Sequence, residues 1–209
     1  MSLQKESKLS GVYGFYTITQ QDKHEVKLYR LSLLLSSLAF FVGIAEWILI
    51  GPSMVWISLM VMALGVGASL NWIHIYLRAL HNILKIFWIA GCLGITIALL
   101  SLGPSNLMTT LTQEPTWIIS IGPFFAALTG LGFKEFFCFR RPEAIGVTLL
   151  VPLALFGHLT QLLNGQIVIS MLLISSLFFL VLALRKFGME AGSDIGDKSI
   201  FEYLDNQKN

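Results

Sequence analysis

The sequence predicts an all-α, polytopic membrane protein: six transmembrane helices in one bundle. Three observations predict it. The 209 residues are 55% hydrophobic and 12% charged, with a mean hydropathy of +0.74. Soluble domains carry about 25% charged residues, so the polar surface needed to face water is missing. Six apolar runs are each long enough to cross a bilayer core, which takes roughly 20 residues, range about 17–25. Finally, the fourteen Lys and Arg residues all fall on one side once those runs are drawn.

The runs are Leu31–Ile50, Met54–Leu77, Ile86–Leu102, Trp117–Phe133, Ile145–Leu163 and Gln166–Leu184. Gly51-Pro52-Ser53 and Asn164-Gly165 are tight turns, so spans one and two are antiparallel neighbours, as are five and six. Lys5, Lys8, Lys23, Lys27 and Arg30 precede the first span. Arg78 and Lys85 sit in the second connection, and Lys134, Arg140 and Arg141 in the fourth. Arg185, Lys186, Lys198 and Lys208 follow the last span. The positive-inside rule then places both termini in the cytoplasm. The expected organisation is an N-terminal cytoplasmic tail over 1–30, a transmembrane domain over 31–184 and a C-terminal cytoplasmic tail over 185–209. The polar opening segment reads as a tail and not as a cleavable signal.

Within the N-terminal tail, Thr19-Gln20-Gln21-Asp22 has the form of a capping box. A helix is expected from Gln20 straight into the first span. Val12–Thr19 reads as a short strand or an interfacial strap. The acidic C-terminal tail (Glu190, Asp194, Asp197, Glu202, Asp205) reads as solvated, or alternatively as docked on the basic connections. Gly65, Gly67, Gly91 and Gly94 are small residues of the kind that let helices approach in lipid.

Ionisable residues at membrane depth are functional candidates. Glu46 and His158 lie at similar depth near the outer ends of spans one and five, with Gln161 one turn beyond His158. If the two spans touch, they form a carboxylate–imidazole pair; otherwise each is interfacial or singly hydrogen-bonded. Asn71, His74, Arg78, His81 and Lys85 recur at steps of three and four. On a continuing helix that is one stripe descending to the cytoplasmic face. Lys134, Glu135, Phe137, Cys138, Phe139, Arg140 and Arg141 form the densest chemistry in the chain. As a helix end they make an aromatic and basic interfacial surface for a partner or for headgroups, with Cys138 as a thiol close to cations.

No cofactor is evident. The histidines do not sit two by two at one depth on different helices, as a bis-His haem requires. No metal motif, nucleophile elbow or paired metal-spaced cysteines occur in the sequence. The small net charge of +2 and the lack of a basic aromatic run exclude nucleic acid as a partner. The expected partners are the bilayer and other membrane proteins.

The segments Phe15-Tyr16-Thr17-Ile18-Thr19, Glu25–Leu31 and Gly132-Phe133-Lys134-Glu135-Phe136-Phe137-Cys138-Phe139 resemble an uncharacterised integral membrane protein family common in cyanobacteria, a domain of unknown function. The resemblance spans about Val12 to Phe187. It implies a plasma or thylakoid membrane of a photosynthetic bacterium and supplies no activity or catalytic residues. Two functions are therefore expected: a non-enzymatic partner-binding or assembly factor, or a small transporter or channel using Glu46 and His158.

Overall fold

A computed structural model describes residues 8–75, 77–200 and 203. The side chains of Lys8 and Cys138 lie outside the described residues, as do Lys5, Glu202, Asp205 and Lys208. The chain begins with a hairpin of β1 (Lys8–Ser10) and β2 (Phe15–Thr17), antiparallel with Leu9 opposite Tyr16. The long helix α1 (Gln20–Leu49) follows, then α2 (Val55–Trp72), α3 (Arg78–Leu102), the short α4 (Leu107–Gln113) and α5 (Ile118–Phe139). A 3-10 turn at Pro142–Ala144 and a π-helical stretch at Gly146–Leu150 lead into α6 (Val151–Leu159). Helix α7 (Gly165–Lys186) and the single turn α8 (Gly192–Ile195) follow.

Six of these segments are long and apolar enough to span a bilayer: Gln20–Leu49, Val55–Trp72, Arg78–Leu102, Pro115–Phe137, Pro142–Leu159 and Gly165–Lys186. Their outward faces are greasy, with Leu64 66%, Leu100 82% and Leu153 56% exposed. Apolar faces of this extent require hydrocarbon as their neighbour.

Helix α1 starts where its cap dictates. The Thr19 hydroxyl accepts from Asp22 N at 3.2 Å, and the Asp22 carboxylate accepts from Thr19 N at 2.7 Å. Two of the four orphan amides of the helix start are thereby satisfied. Asn164 caps α7 in the same manner, accepting from Ile167 N at 2.9 Å.

Helix α1 packs along α2 and α7, α6 with its π-helical lead-in lies between α7 and α5, and α3 leans mainly on α5. Two glycines set that last approach. A Cβ on Gly91 would overlap the backbone of Phe124, and one on Gly94 would overlap the carbonyl of Ser120. At the start of α6, Pro152 supplies no amide and its ring crowds the preceding turn. The π-helical turn at Gly146–Leu150 absorbs that gap, and Ser175 Oγ donates to Gly146 O at 2.9 Å across from α7.

One expectation needs correction. The spacing of Asn71, His74, Arg78, His81 and Lys85 does not trace one helical stripe. The chain leaves helix at Trp72, runs extended through Ile73 (ψ 135°) and re-enters helix at Arg78, because α2 and α3 must reverse there. The second span is therefore shorter than Met54–Leu77, and the third reaches back to Arg78. The connection between α3 and α5 is partly helical. It holds α4, whose Leu107, Met108 and Leu111 are buried against the bundle.

Candidate functional site

The bundle end that carries the termini holds a dense knot of buried charge. Tyr29 and Arg30 reach it from α1, Lys134 and Glu135 from α5, Lys186 from the last turn of α7, and Asp194 from α8. Each of these six is at most 8% exposed. Tyr29 Oη donates to Glu135 Oε1 at 2.5 Å. The other Glu135 oxygen pairs with Lys186 Nζ at 2.7 Å, and Lys186 also grips Asp194. Arg30 Nε donates to Asp194 Oδ2 at 2.7 Å, while its remaining nitrogens donate to the carbonyls of Met189 at 2.9 Å and Glu190 at 3.0 Å. Lys134 Nζ approaches Glu135 at 3.3 Å and stands over the Phe139 ring at 4.1 Å. Cation–π attraction of this kind strengthens when the cation is desolvated.

A second tier lies beside it. Lys198 Nζ donates to Asp22 at 2.8 Å, and His74 pairs with Glu25 at 3.5 Å. Counting both tiers, Asp22, Glu25, Glu135 and Asp194 balance Arg30, Lys134, Lys186 and Lys198. A buried charge stays affordable only when it is paired and hydrogen-bonded. Burial holds the pKa of His74 below the usual imidazole value, outweighing the pull of Glu25. Outside the bundle, Asp197 accepts from Val12 N at 2.6 Å and from Ser199 Oγ at 2.6 Å. These hydrogen bonds, that from Ser199 foremost, lower its pKa. They also seat the N-terminal hairpin on the C-terminal segment, where Tyr13 and Tyr203 stack at 4.0 Å.

Asp22, Glu25 and His74 bring their ligand-type atoms within 4.8 Å of one another. Both Asp22 oxygens already accept from Lys198, and one accepts from Thr19 as well. The chemistry of that trio is ion pairing and helix capping.

The interfacial surface expected at Lys134–Arg141 therefore splits. Lys134 and Glu135 are 2% and 0% exposed and face the bundle interior, so they are not headgroup contacts. Phe137 does face outward, 60% exposed, tilted against Phe133 at 4.2 Å and edge-on to Phe136 at 5.0 Å. Phe139 is half-buried beneath Lys134, Arg140 ends α5 in a left-handed conformation (φ 51°) and is exposed, and Arg141 contacts Met189. The thiol of Cys138 lies outside the described residues.

At the opposite end, Glu46 and His158 are not brought together. Helix α7 packs against both α1 and α6, separating the helices that carry them. His158 Nε2 donates to Leu111 O at 3.0 Å and so ties α4 to α6. The Glu46 carboxylate is half-exposed and makes no hydrogen bond or ion pair among the described residues. Gln161 is exposed, in a left-handed turn (φ 58°) that ends the helix. Of the former stripe, His81 Nε2 donates to Leu70 O at 2.6 Å, capping the end of α2 from the start of α3. Asn71 and Arg78 are exposed.

Between these helices lies a cavity of about 110 Å³, walled by α1, α2, α4, α5, α6 and α7. Its surface is almost wholly apolar, with Phe40, Leu59, Met62, Phe125 and Leu172 prominent and His158 at its edge. Sequence reasoning missed it, since a void is made by helix order and α4 was not anticipated.

The model of the uncharacterized integral membrane protein family DUF2301 matches residues 68–203. The chain belongs to this family. The matched stretch includes Lys134, Glu135, Lys186 and Asp194, and it contains one of the three segments on which the resemblance rested, Gly132–Phe139, while Phe15–Thr19 and Glu25–Leu31 precede it. Tyr29 and Arg30, which complete the knot, precede it. A further relative, an uncharacterized protein of Haemophilus influenzae, is 33% identical over 103 residues, covering 44% of this chain. The chain spans 60% of that relative's length. No solved structure matches. As a DUF2301 protein the chain is a multi-pass integral membrane protein, and the family assigns no activity to either polar site.

Proposed function

We propose that the protein is a non-enzymatic partner-binding or assembly factor of the membrane. The observation that carries this reading is how its intramembrane charges are spent. Lys134, Glu135 and Lys186 join Arg30 and Asp194 in one buried knot that ties the N- and C-terminal segments to the bundle, and Glu143 pairs with Arg185, which leaves Glu46 as the spanning-segment carboxylate without a partner among the described residues. A catalytic or transport site keeps a charged group accessible to substrate. The aromatic and cationic chemistry that stays accessible is the tilted Phe133–Phe137 pair beside Arg140, at the end of α5. Aromatic residues and Arg are the residue types that dominate protein interfaces.

The transporter reading has less support, because α7 separates Glu46 from His158 and the intervening cavity wall is apolar. Both termini are proposed to be cytoplasmic, on the distribution of Lys and Arg. A bacterial plasma membrane or a thylakoid membrane is proposed as the location, and the Haemophilus influenzae relative extends the likeness beyond cyanobacteria.

The test is purification from native membranes in a mild detergent, side by side with Phe137→Ala and Arg140→Glu. A stoichiometric companion that is retained by the parent chain and lost from the two variants is expected. A monomer under all extraction conditions, together with proton or ion flux abolished by Glu46→Gln in liposomes, would replace this reading with transport.

A further inference from the structure

We propose that the cavity at the bundle end away from the termini binds one hydrocarbon chain of a zwitterionic, amine-bearing phospholipid. The argument starts from what else could fill it. A void of about 110 Å³ approaches the size of apolar protein cavities, about 150 Å³, that stay dry and take up benzene. A buried water needs two to four polar partners. The lining side chains that carry a polar atom are Trp47, Ser58, Thr112 and His158, of which Thr112 Oγ1 already donates to Thr109 O and His158 Nε2 to Leu111 O. Hydrocarbon is the remaining filler, and it is the surrounding solvent of the bundle.

The shape favours a chain over a compact ligand. Along α1 the wall runs from Ala39 to Trp47, eight residues, or about 12 Å of helix. Phe40, Met62 and Phe125 line it and are buried. The lining residues Thr112 and Gly165 are exposed, so the cavity opens between α4 and the start of α7 at the membrane surface. A chain inserted there leaves its head at that surface.

The charges around the mouth select the head. The connections at this end, residues 50–54, 103–117 and 160–164, contain no Lys or Arg. They carry Glu114, and Glu46 stands one residue before the lining residue Trp47. An anionic head finds no counter-charge, whereas an ammonium finds carboxylates. The Glu46 carboxylate has no partner among the described residues, which leaves it available for that contact.

The full chain is reconstituted in vesicles holding a phosphatidylethanolamine probe with a diazirine near the end of one acyl chain. A parallel sample holds the same chain on phosphatidylglycerol. After irradiation, adducts are mapped by peptide mass spectrometry. The expected result is labelling of Met62, Phe125 and Leu172, all of them buried cavity residues, with the ethanolamine probe ahead of the glycerol probe. Ile169→Trp on α7 and Leu155→Trp on α6 should each abolish those adducts while labelling of the outward-facing Leu64 and Leu100 persists. Having two variants keeps the test decisive if one does not fold. Labelling confined to Leu64 and Leu100, cavity adducts that survive both substitutions, or preference for the anionic probe would each overturn the proposal. None of these outcomes bears on the Phe137 patch, so the lipid site and the partner reading stand or fall separately.

Discussion

Arg30 and Asp194 meet at 2.7 Å although 164 residues separate them in the chain. Both are buried, and the same carboxylate also holds Lys186. Asp194 thus neutralises two cations from two different spanning helices and pins the C-terminal segment beneath them. Replacing Asp194 with Ala leaves both cations without that partner. Breaking a buried pair from one side costs about 3–5 kcal/mol. A marked fall in the thermal unfolding midpoint in detergent is expected, with new protease cleavage between Phe187 and Ser199. An unchanged midpoint would show that Glu135 and the Met189 and Glu190 carbonyls suffice to hold Arg30 and Lys186.

Tyr29→Phe tests a narrower contact. It deletes one hydroxyl and keeps the ring beneath Lys134 and Lys186, whose ammonium groups stand 5.1 and 5.2 Å from its centre. The Glu135 carboxylate loses a donor at 2.5 Å but keeps both lysines. Hydrogen bonds to charged groups contribute about 1.5–3 kcal/mol. Destabilisation should therefore be clear yet smaller than for Asp194→Ala. Glu135→Gln should exceed it, because that change strands the Lys134 ammonium and leaves Lys186 with Asp194 alone.

Much of the architecture was readable from residues alone, for a physical reason. In lipid a spanning helix must be long and apolar, so hydropathy and length mark it directly. The Thr19–Asp22 cap was also legible, because its partners are three residues apart. The knot was not. Lys134 and Glu135 have the composition of a headgroup belt, and what makes them interior is contact with Tyr29, 106 residues away, and with a tail that looked solvated. The acidic tail facing basic connections was the one available signal, and docking was the less favoured of its two readings. The stripe from Asn71 to Lys85 shows the reverse error: helical spacing persisted across a segment that the antiparallel turn had to break. Helix α4, seven residues long, fell below any window that detects spans.

The His74 environment predicts a pH dependence with a definite sign. Burial lowers its folded pKa from 6.5, opposed by Glu25 and Asp22 of α1 and assisted by Lys134 of α5 and Lys198 of the C-terminal segment. The unfolded chain therefore takes up the proton first as pH falls. Stability is flat above the ordinary imidazole value and declines below it, down to the lower folded value. The unfolding midpoint of the parent should drop between pH 7.5 and pH 5.5. In His74→Gln that drop should shrink. An equal drop in both proteins would assign the pH response to other groups.

The α3–α5 seam yields the most local prediction. Helix α3 is the most lipid-exposed of the spans, 28% buried across its most apolar window, so few other contacts hold it. At Gly94 an added methyl would meet the Ser120 carbonyl, which is backbone and cannot rotate away. Overpacking a close contact costs about 1–3 kcal/mol. Gly94→Ala should therefore lower stability by displacing α3 from α5. A cysteine pair at Leu84 and Gly130, where the only close neighbour of an added Cβ is the Leu84 side chain that the substitution shortens, cross-linked in membranes, reads the seam directly through its efficiency with and without Gly94→Ala. Gly122→Ala on α5, where a Cβ meets nothing within 4 Å, is the matched control and should leave the cross-link and the unfolding midpoint unchanged. Equal effects of the two alanines would mean that helix propensity, rather than the close approach, governs this seam.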